Sequence, residues 1–305
     1  MGVVTTGSFA KSLWPGVNAW YGDKYKEFST EFDKIFDKVS STKAYEEYVG
    51  FSGMGLFQKK PEGSAIAFDE MQQGFVTRAT NVAYALGFII THEMYADDQY
   101  GVIGKRRANA LAFSARQTKE IVGANVLNRA WTAGYTYGDG QVLLSTGHLN
   151  KAGGTWSNTI ATNADLSEAS LEQAAIDVAG FLDDRGLKVN IMPDKLIIPK
   201  ELMFEATRIL KSIQQSGTVN NDVNALRVMN IFPGGVEVNH YLTDTDAWFI
   251  KTNIPSGEGL IYQEREADRF DVSDDSDTMN AKYMAYGRYT FTVGDVRAIY
   301  GSAGA

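Results

Sequence analysis

Tyr21, Tyr25, Phe28, Phe32, Phe36 and Val39 recur at steps of three and four, the spacing of one helical face. Asp23, Lys24, Glu27, Glu31, Lys34 and Lys38 occupy the remaining surface. Such a stripe suits a helix docked on its own core, and equally an arm laid against another surface. Over residues 44–91 the period shortens to that of strands. Residues 66–68 and 75–80 read as short strands, and Val82, Tyr84, Leu86, Phe88 and Ile90 alternate with Ala83, Ala85 and Gly87. Lys59-Lys60-Pro61-Glu62-Gly63 reads as an exposed turn between extended arms. A glycine-rich ribbon of this kind buries little by itself and is marginal in water unless another surface covers it.

A proline-free helical pattern follows over 98–131, with Asp97 and Asp98 placed to charge and cap its start. Its apolar face is expected to carry Ala110, Phe113, Ile121, Ala124, Leu127 and Trp131, widened by Leu111, Val122 and Val126. Beyond Gly134 helices and strands mix. Gly138-Asp139-Gly140 is a turn, 141–144 a short strand and 149–163 a polar loop. Asp165 and Glu168 resemble a capping box before a helix with Leu171, Ala174, Ala175, Val178 and Phe181 inward, ended by Gly186. A buried-type strand at 195–198 is closed by Pro199, and a second helix points Leu202, Ala206, Ile209, Leu210 and Ile213 inward. Strands are expected at 236–241, 247–250 and 283–293, the last with Tyr283, Ala285, Gly287, Tyr289, Phe291 and Val293 on one face, and 271–277 is an acidic turn.

Composition narrows the chemistry. The 305 residues contain no cysteine, which excludes disulfides, thiolate nucleophiles and zinc–thiolate sites. Only three histidines occur, His92, His148 and His240, against 30 glycines, 16 phenylalanines and 15 tyrosines, a balance suited to packing and interfaces. A net charge of −8 disfavours general attraction to nucleic acid or an anionic membrane. The longest apolar run, Val82–Ile90, is far short of the ~20 residues a membrane helix needs.

Motifs of catalysis are incomplete. Gly50-Phe51-Ser52-Gly53-Met54 starts like a nucleophile elbow but has methionine at its final glycine position. Gly53-Met54-Gly55 lacks the third glycine of a phosphate loop. Asp271, Ser273, Asp275 and Asp277 copy alternate positions of a calcium loop, yet Ser276 replaces its glycine and Lys282 its bidentate glutamate. Asp183-Asp184 falls at a helix end, Lys105-Arg106-Arg107 suits a solvated helix face, and the histidines suit structural roles. The expectation is a chain without catalytic, cofactor-binding or metal-binding residues.

The order of aromatic arm, glycine-containing hairpin, long helix, α+β insert and return strand resembles the tailed-bacteriophage major capsid protein fold of the Hong Kong 97 type. Local strings are similar to the Mu-type major head protein family. These are Asp97-Asp98-Gln99-Tyr100-Gly101 opening the long helix, Lys195-Leu196-Ile197-Ile198-Pro199 followed by Glu201-Leu202, Asp277-Thr278-Met279-Asn280-Ala281-Lys282-Tyr283, and Arg297-Ala298-Ile299-Tyr300-Gly301-Ser302.

By that resemblance the fold is α+β, with an N-terminal arm at 1–43 and an extended hairpin loop at 44–88. A peripheral domain at 89–133 and 263–305 carries the spine helix 98–131, and 134–262 form an axial domain. The implied function is a major capsid protein whose icosahedral shell encloses the double-stranded DNA of a tailed phage without sequence-specific binding. The implied partners are itself as pentamers and hexamers, a separate scaffolding protein, a portal protein and a decoration protein. No membrane is involved. The implied location is the virion capsid, assembled in the cytoplasm of a bacterial host. Trp14, Trp20, Tyr21, Tyr25, Phe51, Leu56, Phe57, Phe68 and Phe75 are the expected interface anchors. Two alternatives stand beside this reading: a nanocompartment shell of the same fold enclosing protein cargo, and a carboxylate-dependent hydrolase.

Overall fold

The computed structural model describes residues 10–27, 29–51, 53–91, 93, 100–214, 223–274 and 280–305. In chain order, helix α1 (Ala10–Glu27) leads through a 3-10 turn (Phe32–Lys34) to β1 (Asp37–Ser40), β2 (Tyr45–Phe51), β3 (Gln73–Thr80), β4 (Val82–Ile90) and the long helix α2 (Tyr100–Asn128). A small hairpin, β5 (His148–Leu149) with β6 (Thr155–Trp156), precedes α3 (Glu168–Ala179), β7 (Pro193–Pro199), α4 (Met203–Lys211) and α5 (Ala225–Val228). The chain closes with β8 (Gly235–Asn239), β9 (Trp248–Thr252), β10 (Leu260–Asp274), β11 (Ala281–Val293) and β12 (Ile299–Ser302).

Two four-stranded sheets carry the body. The first has the order β1-β10-β11-β4, with β1 parallel to β10 and the other pairs antiparallel. Its inward face is the alternating set of β11, where Tyr283, Ala285, Tyr289, Phe291 and Val293 are buried. The second has the order β12-β9-β7-β8, with β7 parallel to β8. Strand β7 is central there, so Leu196, Ile197 and Ile198 are buried on both faces and read as a continuous apolar run. β12 pairs with β9, so the C-terminal segment divides between the sheets: β11 belongs to the first and β12 to the second. Phe249, Tyr262, Phe291, Leu127, Leu144 and Ile299 join both sheets and α2 in one core.

Several elements depart from the sequence pattern. The aromatic stripe does not stay helical past Glu27. Phe32 lies in the 3-10 turn and Val39 in β1, because the Glu120 carboxylate on α2 accepts hydrogen bonds from the Glu31 and Phe32 N–H groups at 3.0 and 3.1 Å. Phe32, Ile35 and Phe36 are core residues of their own chain. The buried stripe of α2 runs through Ala108, Leu111, Ala112, Lys119, Glu120, Ala124 and Leu127, whereas Ala110, Phe113 and Ile121 are exposed. Small residues win this face because the helix must approach β4 and β11 closely, and the two charged ones find partners there. Asp97 and Asp98 lie outside the described residues.

Helix α3 is capped by Ser167 and Ser170 in a reciprocal box rather than by Asp165 and Glu168, and it ends at Gly180. Gly186 instead forms a later turn with φ +80°. Ile213 is exposed, residues 66–68 form no strand, and 141–144 contribute only a bridge from Val142 to Thr136. The turn expected from 271 is, to Asp274, the end of β10; Asp275, Ser276 and Asp277 lie outside the described residues.

Candidate interaction surface

β2 and β3 pair antiparallel from Tyr45↔Thr80 to Phe51↔Gln73, with a register shift between Val49 and Phe51. The Gly50 and Gly74 backbones meet at that shift, where a Cβ on Gly74 would lie 2.8 Å from the Gly50 carbonyl carbon. Beyond the strands, residues 53–72 form a long irregular loop. Its neck is closed by the Asp69 carboxylate, which accepts a hydrogen bond from Gly55 N–H at 2.7 Å and an ion pair from Arg185. Arg185 also donates to the Glu70 carbonyl at 2.8 Å. The hydrogen bond from Arg185, then that from Gly55, holds the Asp69 carboxyl down to about 2. Arg185 is itself positioned by the turn that begins at Asp183, whose carboxylate accepts from Arg185 and Leu187 N–H at 2.8 Å each.

Beyond the neck, a turn at Pro61–Ser64 with Gly63 at φ +80° reverses the chain. Leu56 is 78% exposed, Phe57 102%, Ile66 66% and Phe68 95%. Four large apolar side chains without cover on one loop are a surface awaiting a partner.

The other expected anchors are placed differently. Tyr21 is buried in its own chain, its ring stacked on Phe270 at 4.7 Å. Trp20 packs against the same cluster. Tyr25 is half-buried, with its hydroxyl donating to Asp268 at 2.5 Å and accepting from Lys119 at 3.2 Å. Phe75 is half-buried under the Lys151 ammonium, 4.5 Å from the ring centre. Trp14 lies in α1 and Phe51 ends β2, and the side chains of both lie outside the described set.

Between the β2–β3 hairpin and the segments around Trp156 and Arg297 lies a cleft of about 400 Å³, lined by Tyr48, Phe75, Trp156, Asp184, Glu258 and Asp295. Arg297 crosses it, pairing with Asp184 at 2.8 Å and Asp295 at 3.5 Å while its guanidinium lies 4.9 Å from the Trp156 ring centre. Behind Trp156, His148 Nδ1 meets the Asp139 carboxylate at 2.6 Å and Nε2 lies 3.0 Å from Asn158 Oδ1. Burial pushes the Asp139 carboxyl up, but hydrogen bonds from His148 and Gln141 N–H outweigh it and leave it below the usual carboxylate value. These groups are tied into structure by the contacts just given. His240 is an exposed partner of Glu31 at 2.5 Å, and His92 and Ser52 lie outside the described residues. Among the described residues no group of three or more His, Asp or Glu could hold a metal ion, and no helix is long and apolar enough to cross a membrane.

Sequence reasoning missed Arg185, Asp69 and Glu258. Arg185 had a legible signal in Asp183-Asp184-Arg185-Gly186, a turn rather than a helix end, but its partner 116 residues away had none.

The family described as "Phage capsid protein" matches residues 75–302. No curated protein matches the sequence. Among solved structures, the procapsid of bacteriophage JBD30 gives a TM-score of 0.53 at 16% identity, covering 98% of this chain and 76% of that one. Microbacterium phage Oxtober96 gives 0.52 at 10% identity, covering 92% and 93%. A virus-like particle from Pyrococcus furiosus gives 0.50 at 12% identity, covering 95% and 98%. At such identities the likeness is one of fold.

Proposed function

The chain belongs to the phage capsid protein family, and from that premise we propose that it is the subunit of an icosahedral shell, built of its own pentamers and hexamers, that encloses the double-stranded DNA of a tailed phage. The observation that carries this reading is the clasped loop 53–72, which presents Leu56, Phe57 and Phe68 to solvent from a body with two sheets and a continuous core. A lone subunit gains nothing from such a loop, whereas a neighbour's surface would cover it. The net charge of −8 fits an enclosure that does not grip its contents.

In the same reading the shell assembles in the cytoplasm of a bacterial host and becomes the virion capsid. A separate scaffolding protein, a portal protein and a decoration protein act with it, and the second sheet with its helices turns toward the five- and six-fold axes. Asp97-Asp98-Gln99-Tyr100-Gly101 and Arg297-Ala298-Ile299-Tyr300-Gly301-Ser302 support a place near the Mu-type major head proteins. The likeness to the Pyrococcus furiosus particle favours a second reading, a nanocompartment enclosing protein cargo.

Size-exclusion chromatography and negative-stain imaging of the expressed protein test the proposal. Closed shells are expected from the natural sequence. A variant with Leu56→Ala, Phe57→Ala and Phe68→Ala is expected to stay folded and fail to assemble. Unimpaired shells from that variant would remove the loop from its role, and nuclease-resistant DNA in particles made in the host separates the two readings.

A further inference from the structure

Helix α2 meets β4 and β11 through small side chains. Ser114 and Ala115 from the helix, Ala85 from β4, and Ala285 and Gly287 from β11 border a cavity of about 230 Å³. Leu111 adds an aliphatic wall, and Tyr84 and Tyr289 an aromatic one, their rings stacked with centres 4.7 Å apart. Protein interiors hold few voids larger than a water molecule. This one is kept open because the elements around it are pinned. Asp268 on β10 holds Lys119 of α2 at 2.9 Å and Tyr25 of α1 at 2.5 Å.

Two polar groups of the lining are unused. Asp268 meets both Tyr25 and Lys119 through Oδ2, while Oδ1 lies against Gly287 and accepts no hydrogen bond among the described residues. Tyr21, also in the lining, is 6% exposed, and its hydroxyl has no hydrogen-bond partner among the described residues. Burial, and then the charge of Asp268, raise the pKa of that hydroxyl and keep it a neutral donor. Buried polar groups are nearly always paired, so these two ask for a partner that the chain itself does not supply.

Size and charge narrow what that partner is. A dry apolar cavity of about 150 Å³ takes up benzene, so this one has room for a single ring with one or two substituents. Lys119 already neutralises Asp268, so a cationic ligand would add a second positive charge at a desolvated pair. An anion would face the carboxylate itself.

We propose that the cavity binds a small uncharged aromatic alcohol of the phenol class. Its ring lies between α2 and the β4–β11 sheet, and its hydroxyl donates to Asp268 Oδ1 and accepts from Tyr21. A ligand of the same shape without the hydroxyl buries Oδ1 unpaired and is penalised for it. Every lining residue comes from one chain, so the site does not depend on assembly and stands apart from the shell reading. The bound molecule joins α1, α2 and the first sheet and stabilises the folded chain by mass action.

Fluorine NMR of three probes with the full chain tests the site, whether the chain is a single subunit or a particle. 4-Fluorophenol is expected to broaden and shift on adding protein, and to bind about tenfold more tightly than 4-fluorotoluene, which has the same number of heavy atoms. The cation of 4-fluorobenzylamine is expected to bind more weakly than either. Ala115→Leu, and independently Ser114→Leu, fill the cavity from the helix side and are each expected to abolish the effect of 4-fluorophenol. Tyr21→Phe is expected to weaken 4-fluorophenol by about threefold to tenfold and to leave 4-fluorotoluene unchanged. 4-Fluorophenol that binds no better than 4-fluorotoluene, a benzylamine that binds best, or binding that survives in a folded filling variant would overturn the proposal.

Discussion

The Tyr25 hydroxyl donates a 2.5 Å hydrogen bond to the carboxylate of Asp268, 243 residues further along the chain. Lys119, 4% exposed, completes the group with an ion pair to Asp268 at 2.9 Å and a hydrogen bond to Tyr25 at 3.2 Å. Its ammonium also lies within 6 Å of the Tyr262 and Tyr289 ring centres. Helix α1, the long helix α2 and strand β10 are thus pinned at one polar point inside an aromatic shell.

Asp268→Ala leaves Lys119 buried without its counter-ion and is expected to cost about 3–5 kcal/mol, while Tyr25→Phe is expected to cost about 1–3 kcal/mol. Gly287→Ala reaches the same group from the other side. A Cβ there would collide with Asp268 Oδ1 and push the carboxylate away from its partners. Urea unfolding of the three variants checks the order, and hydrogen exchange of α1 checks its location. An Asp268→Ala chain as stable as the natural one would show that the group holds nothing.

Burial first, and then the charge of Asp268, raises the hydroxyl pKa of Tyr21, Tyr25 and Tyr289 above the ordinary 10.0. Burial and then Glu264 act in the same direction on Tyr262. A folded-state pKa above the unfolded one gives a contribution that is complete below pH 10 and declines as the pH rises beyond it. The chain is therefore expected to unfold cooperatively above pH 10, with tyrosinate absorbance rising in the same transition as loss of circular dichroism. Tyrosinate appearing well before unfolding would contradict the burial of these rings.

The clasp between Asp69 and Arg185 behaves differently. With its carboxyl held down to about 2, Asp69 stays charged and the clasp stays closed as the pH falls through the ordinary carboxylate range. Both partners are solvent-accessible, so salt screens them. Limited proteolysis of residues 53–72 is expected to be the same at pH 5 and pH 7 but faster at 1 M than at 0.05 M salt. Arg185→Ala is expected to show the fast rate at every salt concentration, and a loop equally cleaved with and without Arg185 would dismiss the clasp.

The parts of the fold visible in sequence are those where one local rule governs. The two-residue period of Val82–Ile90 marks β4, and the Leu196-Ile197-Ile198 run before Pro199 marks a strand covered on both faces. β10 was invisible because Gln263, Glu264, Arg265, Glu266, Asp268 and Arg269 read as a polar segment. Its register shifts between Glu264 and Arg269 also break the alternation that would have revealed it. The buried face of α2 misled for a related reason: Lys119 and Glu120 look solvent-bound until Asp268 and the 3-10 turn arrive from far along the chain. At the interaction surface, Leu56, Phe57 and Phe68 could be picked out as apolar residues in a turn-rich stretch. Tyr21 could not be told apart from them, because only the position of Phe270 shows that its ring is used within the chain.

The first sheet sets a timetable for synthesis. β1 pairs with β10 through Asp37↔Ile261, and β11 lies between β10 and β4. The N-terminal third of the chain therefore leaves the ribosome long before its partners exist, and the sheet closes only after Val293 has emerged. Such distant pairings fold slowly. A nascent chain therefore exposes the apolar loop at 53–72 while β10 and β11, the strands that complete its body, are still unmade.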